Sequence, residues 1–246
     1  MSEQLSLQLD PALPDPPSTL RPMLATPLPA PFDSTDHLFE PAWGGRRALA
    51  VVGPAATPGS GGVRLIGEDG APFGIIPPEL AGLAVRVAAR SAVLDGELVV
   101  VGEDGVLDRD ELDRRLAGMP GRPVVFLAFD ILDLDGRALL RQPLEARRAA
   151  LRRVLRPGDE VLALPAIPGE GLALHAAVTA QGLAGILARR RSSPYLPGIR
   201  SRLWRSIAAD PAGGAAALRP AEPSPAAGPA PVLALIRRLP LGLEPD

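Results

Sequence analysis

Short runs of alternating or continuous apolar residues recur along the middle of the chain, and such runs are typical of β-strands. They predict strands at residues 48–52, 63–66, 92–101, 124–134, 161–167, 185–189 and 203–207. Residues 111–117, 143–155 and 170–181 read as helices. In the last two the apolar residues lie three and four apart, and 143–155 carries arginines on the other face. Turn signals at 102–105 and 133–136 predict hairpins after the third and fourth strands. Strands paired first as hairpins and later separated by helices predict an α+β domain with mostly antiparallel sheets.

Proline-rich segments flank this pattern at both ends. Residues 1–20 carry Pro11, Pro14, Pro16 and Pro17 with little apolar periodicity, which predicts a disordered leader. Residues 211–246 are rich in alanine and proline and predict a tail, so that one domain is expected over 21–210. No apolar run reaches about 18 residues, and the N-terminus is acidic, which argues against a membrane span or a secretory signal and for a cytoplasmic protein.

The composition removes several kinds of chemistry. The chain has no cysteine and two histidines, His37 and His175, which excludes disulfides and cysteine nucleophiles, argues against a histidine-built metal site, and leaves both histidines as expected surface or loop residues. All 26 residues in the Lys+Arg total are arginine, so no lysine chemistry is available. The net charge is -2, yet residues 171–209 hold six arginines and no acid. That segregation indicates a phosphate-binding or nucleic-acid-binding surface, with a merely solvated face as the alternative.

Several motifs follow one another in a recognisable order. They are Phe32–Arg47 (FDSTDHLFEPAWGGRR), Val93–Glu97 (VLDGE), Val125–Gly136 (VFLAFDILDLDG), Gly182–Arg189 (GLAGILAR) and Ser193–Gly198 (SPYLPG) followed by Trp204. As a set they resemble the nucleotidyltransferase (adenylation) domain of bacterial, repair-type ATP-dependent DNA ligases. The resemblance implies the nucleotidyltransferase fold shared with mRNA-capping enzymes, which is ATP-grasp-like. Relatives carry an oligonucleotide-binding barrel after the last motif, and residues 211–246 are too few to form one.

The same resemblance implies that catalytic positions have been replaced. In the family a lysine attacks the α-phosphorus of ATP, with magnesium as the metal, and passes AMP to the 5′-phosphate of nicked DNA. The lysine position is Ala42 here, and the neighbouring aspartate position is Gly44. The other replacements put Ala184 at a glutamate position, Ser206 and Ala208 at lysine positions, and Glu68 at an arginine position. Since an arginine keeps its proton, no neighbouring residue can take over the attack, and we predict that the chain cannot form lysyl-AMP.

Some family positions retain a suitable residue. The resemblance assigns nucleotide contacts to Arg47, Glu97, Phe129 and Arg189. The alternatives from the sequence are a surface ion pair for Arg47, a buried ion pair for Glu97 and a core aromatic for Phe129, while Asp95 is interpreted as a turn or surface residue. Nucleic-acid contacts are predicted from four further arginines, namely Arg190, Arg200, Arg202 and Arg205.

These observations favour a catalytically impaired ligase homologue of DNA repair. ATP and magnesium are the cofactors that the resemblance implies, DNA is the expected partner through weak backbone contacts, and a repair protein is a second candidate partner. Two other functions stay open. One is a working nucleotidyltransferase with a different nucleophile, and the other is an interaction protein that binds neither ATP nor DNA.

Overall fold

A computed structural model describes residues 20–53, 62–102 and 106–209. The predicted tail, and the predicted leader apart from Leu20, lie outside the described residues. The predicted turn at 102–105 lies outside them too, except for Gly102. The domain bounds 21–210 stay a prediction.

The described residues contain eleven strands and four α-helices. The strands are β1 (Leu24–Pro27), β2 (Ser34–Ala42), β3 (Arg46–Val52), β4 (Val63–Gly67), β5 (Ala92–Val99), β6 (Val125–Leu134), β7 (Arg137–Ala138), β8 (Val161–Ala163), β9 (Ile167–Gly169), β10 (Gly185–Arg190) and β11 (Arg200–Ala208). The helices are α1 (Leu83–Arg86), preceded by a 3-10 turn at Pro78–Gly82, α2 (Arg109–Leu116), α3 (Leu144–Val154) and α4 (Gly171–Ala180). No helix in these ranges is long and apolar enough to cross a membrane.

The strands form two sheets. The first has five strands in the order β1-β11-β10-β2-β9, and the second has six in the order β4-β3-β5-β6-β7 with β8 beside β6. All the neighbouring strands run antiparallel except β1 with β11 and β6 with β8. The predicted α+β class with mostly antiparallel sheets is therefore confirmed.

Apolar side chains fill three regions around these sheets. Leu94, Leu98 and Phe126 of the six-stranded sheet pack against residues of helices α1, α2 and α3. Leu49, Val51 and Val93, on the opposite face of that sheet, pack against Tyr195 and Trp204. Helix α4 packs on β2 and β10 of the five-stranded sheet through Leu174 and Val178. The two sheets thus enclose a layer between them, and the candidate site lies in that layer.

The strand predicted at 161–167 is wrong as a single element. It is two strands, β8 and β9, which belong to different sheets. Pro165 lies between them, and a proline has no N–H to donate to a ladder. The pattern also does not predict β2, because its first residues, Ser34 to Asp36, are polar.

The turn predicted at 133–136 is confirmed. Asp135 and Gly136 have φ values of 52° and 76°, the left-handed conformation that a two-residue hairpin turn requires. The Gly136 N–H donates to Asp133 Oδ1 at 3.0 Å. Asp and Gly adopt this conformation more readily than other residues, which explains why the sequence predicts this turn correctly.

Candidate nucleotide site and basic strands

Strands β2, β10 and β11 bring the replaced catalytic positions onto one face. Ala42 and Ala208 are the two neighbours of Gly185 in the sheet, and Glu40 and Ser206 are the two neighbours of Leu187. Register partners share a face, and so do residues two apart on a strand. The three positions that the resemblance assigns to lysines, 42, 206 and 208, therefore lie together facing the layer between the sheets, and none carries a charged side chain.

The loop after β2 depends on two glycines. Gly44 has a φ of 83°, and a Cβ added there would lie 3.2 Å from the Ala184 Cβ. Gly45 passes so close to β5 that an added Cβ would lie 2.1 Å from the Leu98 carbonyl oxygen. This approach lets the Gly45 N–H donate to the Glu97 carboxylate. Burial raises the pKa of Glu97, and the Gly45 N–H and the charge of Arg47 oppose that rise.

Arg47 forms an ion pair inside the layer. Its guanidinium donates two hydrogen bonds to Asp95, at 2.7 and 2.6 Å, and its side chain is 17% exposed. Burial lowers the pKa of Arg47, but Asp95 more than offsets this, so that the pKa is raised overall. The interpretation of Asp95 as a turn or surface residue is wrong. Asp95 is fully buried and accepts a further hydrogen bond from the Tyr195 hydroxyl at 2.7 Å, and these three hydrogen bonds stabilise its charge.

The Phe129 ring packs against two guanidinium groups and does not border an open cavity. Its ring centroid is 4.4 Å from the Arg47 guanidinium carbon and 3.8 Å from that of Arg189. Arg189 also lies 4.7 Å from the Trp204 ring, and Phe129 is 2% exposed. Cation–π attraction stabilises this arrangement. A base could therefore stack on Phe129 only after an arginine had moved.

Glu40 joins Arg189 to helix α3. Its carboxylate pairs with Arg189 through one oxygen and with Arg148 through the other, and all three residues are buried. Arg148 also donates to the carbonyl oxygens of Phe129, at 2.9 Å, and Leu164, at 2.6 Å. Burial lowers the pKa of Arg189, and Glu40 partly offsets it. We call the set Arg47, Arg148, Arg189, Glu40, Asp95, Phe129 and Trp204 the buried arginine cluster.

The sequence did not predict the α3 part of this cluster. Its arginines were expected on a polar outer face, but Arg147 and Arg148 point inward, and Arg147 donates to Asp130 at 2.9 and 2.8 Å. The apolar spacing of α3 is preserved, because these arginines extend from one edge of the apolar face to buried carboxylates. The acids Glu40 and Asp130 were the available signal, since each lies in an apolar strand where an unpaired charge would be costly.

The residues do not fit a magnesium ion. No group of three or more acidic or histidine side chains capable of holding a metal occurs among the described residues. Ala184 stands where the family glutamate would contribute an oxygen ligand, and Glu97 is already hydrogen-bonded to Gly45.

An open groove borders the cluster. Its volume is about 500 Å³, and its lining includes Arg46, Arg47, Glu68, Asp69 and Phe73. Arg46 donates to Asp113 at 2.9 and 2.8 Å, which engages its charge. With Glu68 in place of the family arginine, the groove offers two carboxylates and little free positive charge to a triphosphate.

The six arginines between 171 and 209 divide into two groups. Strands β10 and β11, which carry most of these arginines, are neighbours in the five-stranded sheet. Arg189 is buried with Glu40, Arg191 pairs with Glu145 at 3.0 Å, and Arg200 donates to the Ala25 carbonyl oxygen at 2.6 Å. The second group consists of Arg190, Arg202 and Arg205. Their side chains make no hydrogen bond or ion pair within the described ranges. The nucleotide and nucleic-acid contacts assigned to individual residues stay predictions.

Comparison with known proteins identifies the family. Residues 79–207 match the ATP dependent DNA ligase domain. Over 186 residues, 75% of this chain, the sequence is 36% identical to the multifunctional non-homologous end joining DNA repair protein LigD of Mycobacterium tuberculosis. Over 141 residues, 53% of this chain, it is 34% identical to a DNA ligase of Methanoculleus marisnigri. The chain spans 23% and 25% of these two curated relatives.

Solved structures agree with this result. Mycobacterial DNA ligase D complexed with ATP and MES superposes with a TM-score of 0.65 at 32% identity, covering 78% of this chain and 60% of that chain. The ligase domain of M. tuberculosis LigD superposes with a TM-score of 0.64 at 33% identity, covering 77% of this chain and 59% of that chain. The motifs, the topology and these matches agree, and the chain belongs to the ATP-dependent DNA ligase domain family.

Proposed function

We propose that this chain is a ligase-type nucleotidyltransferase domain that has lost adenylation and acts in DNA repair by binding the DNA backbone. The observation that carries the proposal is Ala42. It ends strand β2 at the family's lysine position, and the sequence contains no lysine that could replace it. A methyl group has neither a lone pair to attack phosphorus nor a charge to hold phosphate.

The surroundings of Ala42 support the loss. Ser206 and Ala208 remove two cations from the same face, Ala184 removes a metal ligand near Gly44, and each such group ordinarily contributes about 10²- to 10³-fold to a rate. The buried arginine cluster fills the part of the layer around Phe129. Its charges are paired with one another, and Ala42, Ser206 and Ala208 add no group that could activate a phosphate.

A role in repair is supported by the relatives. The mycobacterial relative is named for non-homologous end joining and DNA repair. A DNA-repair protein is accordingly our candidate protein partner, and DNA is the candidate ligand. ATP and magnesium are the family's cofactors, and the filled layer argues that this chain uses neither.

DNA binding is expected to depend on the free arginines of β10 and β11. Three phosphate contacts from Arg190, Arg202 and Arg205 predict that binding to a nicked duplex is independent of sequence and falls with salt, with a log-log slope of about -3. Arg200, which contacts the Ala25 carbonyl oxygen, is expected to contribute less. Fluorescence anisotropy over a salt series measures the slope. The triple variant R190Q/R202Q/R205Q is expected to flatten it to near zero.

A second triple variant controls for net charge. R137Q/R152Q/R153Q removes the same charge from exposed positions on β7 and α3, outside the two basic strands. It is expected to retain most of the binding, and both variants should unfold at nearly the parent temperature because exposed charges contribute little to stability. Equal DNA binding by the parent and R190Q/R202Q/R205Q would contradict the proposed surface.

Nucleotide binding is expected to be weak. Because Phe129 is covered by Arg47 and Arg189, ATP or AMP must displace an ion-paired arginine before its base can stack. We expect a Kd in the millimolar range, on the order of -4 kcal/mol. Isothermal calorimetry measures it, and a micromolar Kd would show that the cluster opens readily and that the site remains a nucleotide site.

A further inference from the structure

Three basic side chains share the outer face of the five-stranded sheet, opposite to Arg189. His37 of β2 is the direct neighbour of Arg190 on β10. Arg205 of β11 is the neighbour of Ala188, two residues from Arg190. Since neighbours across strands and residues two apart on a strand share a face, His37, Arg190 and Arg205 converge there. We call these residues the outer-face triad.

The His37 ring is held in place on this face. Its Nδ1 lies 2.9 Å from the Ser34 hydroxyl oxygen, and its ring packs edge-on against Phe32 at 5.2 Å between centroids. Its Nε2 makes no hydrogen bond within the described part of the chain. Among the described residues, the triad therefore presents one free imidazole nitrogen and two guanidinium groups without an acceptor.

Burial and two neighbouring guanidinium groups oppose the protonation of His37. Burial lowers the pKa of His37, and Arg190 and Arg205 lower it further. Asp36, on the same strand, acts in the opposite direction. On the neighbouring strand β9, residues Ile167–Gly169 carry no charge. The free triad is thus a site with two positive charges and a neutral imidazole that an arriving anion would help to protonate.

We propose that the outer-face triad binds a backbone phosphate of DNA and that His37 takes up a proton from solvent when it does so. The inference rests on the proposed DNA-binding function, in which Arg190 and Arg205 already contact DNA, and adds to it His37 and a dependence on pH. A phosphate oxygen between His37 Nε2 and the two guanidinium groups accepts three charge-assisted hydrogen bonds. Its negative charge offsets the repulsion between the arginines and the imidazolium.

The direction of the pH dependence follows from the two pKa values of His37. The pKa is lowered in the free protein and raised in the complex by the phosphate. Affinity therefore increases as the pH falls through the pKa of the complex, and it levels off below the pKa of the free protein. A difference of about one pKa unit between the two states corresponds to about tenfold in affinity.

The test compares DNA binding at two pH values and constant ionic strength. A labelled nicked duplex is titrated by fluorescence anisotropy at about pH 5.5 and about pH 8, on either side of the ordinary histidine pKa. Binding is expected to be about tenfold tighter at the lower pH, with a log-log salt slope steeper by about one because one more cation contacts phosphate. His37→Gln should remove both differences between the two pH values.

The second histidine provides the matched control. His175 is half-buried on helix α4, with its Nε2 2.8 Å from the Ala208 carbonyl oxygen, and His175→Gln should retain the full pH dependence. Nuclear magnetic resonance of the parent gives an independent measurement. The chain has two histidines, so His175→Gln assigns the remaining ring signals to His37, whose pKa should rise when DNA is added.

The outcomes separate this inference from the proposed function. DNA binding that is equal at both pH values, or a pH dependence that persists in His37→Gln, would overturn the triad alone. A His37 pKa that does not change on adding DNA would do the same. Failure to bind DNA at either pH would overturn the proposed function together with the triad.

Discussion

Incubation of the purified protein with ATP and magnesium leaves its mass unchanged, whereas a lysyl-adenylate would add about 329 Da. The reason is Ala42, at the end of β2, which offers no nucleophile. Arg46 and Arg47 follow closely but cannot attack phosphorus, because a guanidinium keeps its proton at any pH at which the protein folds. Intact-mass spectrometry at neutral or alkaline pH is the measurement, since acid hydrolyses a phosphorus–nitrogen bond.

Restoring the lysine alone is also expected to fail. In Ala42→Lys the new amine lies on a face where Ser206 and Ala208 provide no cation and Ala184 no carboxylate. An active ATP-dependent ligase treated in parallel controls for the nucleotide and the metal. A stoichiometric adduct on the parent protein would establish an unforeseen nucleophile and refute the loss of activity, and an adduct on Ala42→Lys would show that one residue had been limiting.

The fold could be predicted where local signals decide it. Strand β5, helix α3 and the turn at Asp135–Gly136 each follow from spacing or turn chemistry within a few residues. Strand β2 could not be predicted in this way. Pro41 lies beyond the residues that pair with β9, so β2 has a ladder partner there on one side only and the missing N–H is tolerated. The pairing of its polar first residues with β10 and β9 joins residues far apart in the chain.

The candidate site was predictable as a set of positions but not as an arrangement. The motifs identified residues 42, 97, 129 and 189, and the fold brings all four to the layer between the sheets. Asp95 and Arg47 pair across the neighbouring strands β5 and β3, and Glu40 pairs with Arg148 of helix α3. Both contacts join residues far apart in the chain, and no local pattern encodes them. An arginine on a helix looks exposed in the sequence until the carboxylate that neutralises it is known.

Removal of the Glu40 carboxylate is expected to destabilise the domain strongly. Glu40 is the acid that pairs with both Arg148 and Arg189, and all three residues are buried. Glu40→Ala leaves two buried guanidinium groups without this counterion, and a broken buried ion pair costs about 3–5 kcal/mol. For a domain of this size that lowers the unfolding temperature by roughly 10 °C, which differential scanning calorimetry measures.

An exposed pair provides the comparison. Glu145 and Arg191 are about half exposed, so Glu145→Ala should cost less than about 1 kcal/mol.

A double-mutant cycle then separates the pairing of Glu40 with Arg189 from the effect of simply truncating either side chain. Replacing Arg189 by methionine in the Glu40→Ala background removes one uncompensated charge and fills part of its volume. The double variant should therefore be less destabilised than the sum of the two single variants, by about 1–3 kcal/mol. Additive losses would mean that Glu40 and Arg189 contribute independently and that the buried arginine cluster is not a coupled unit.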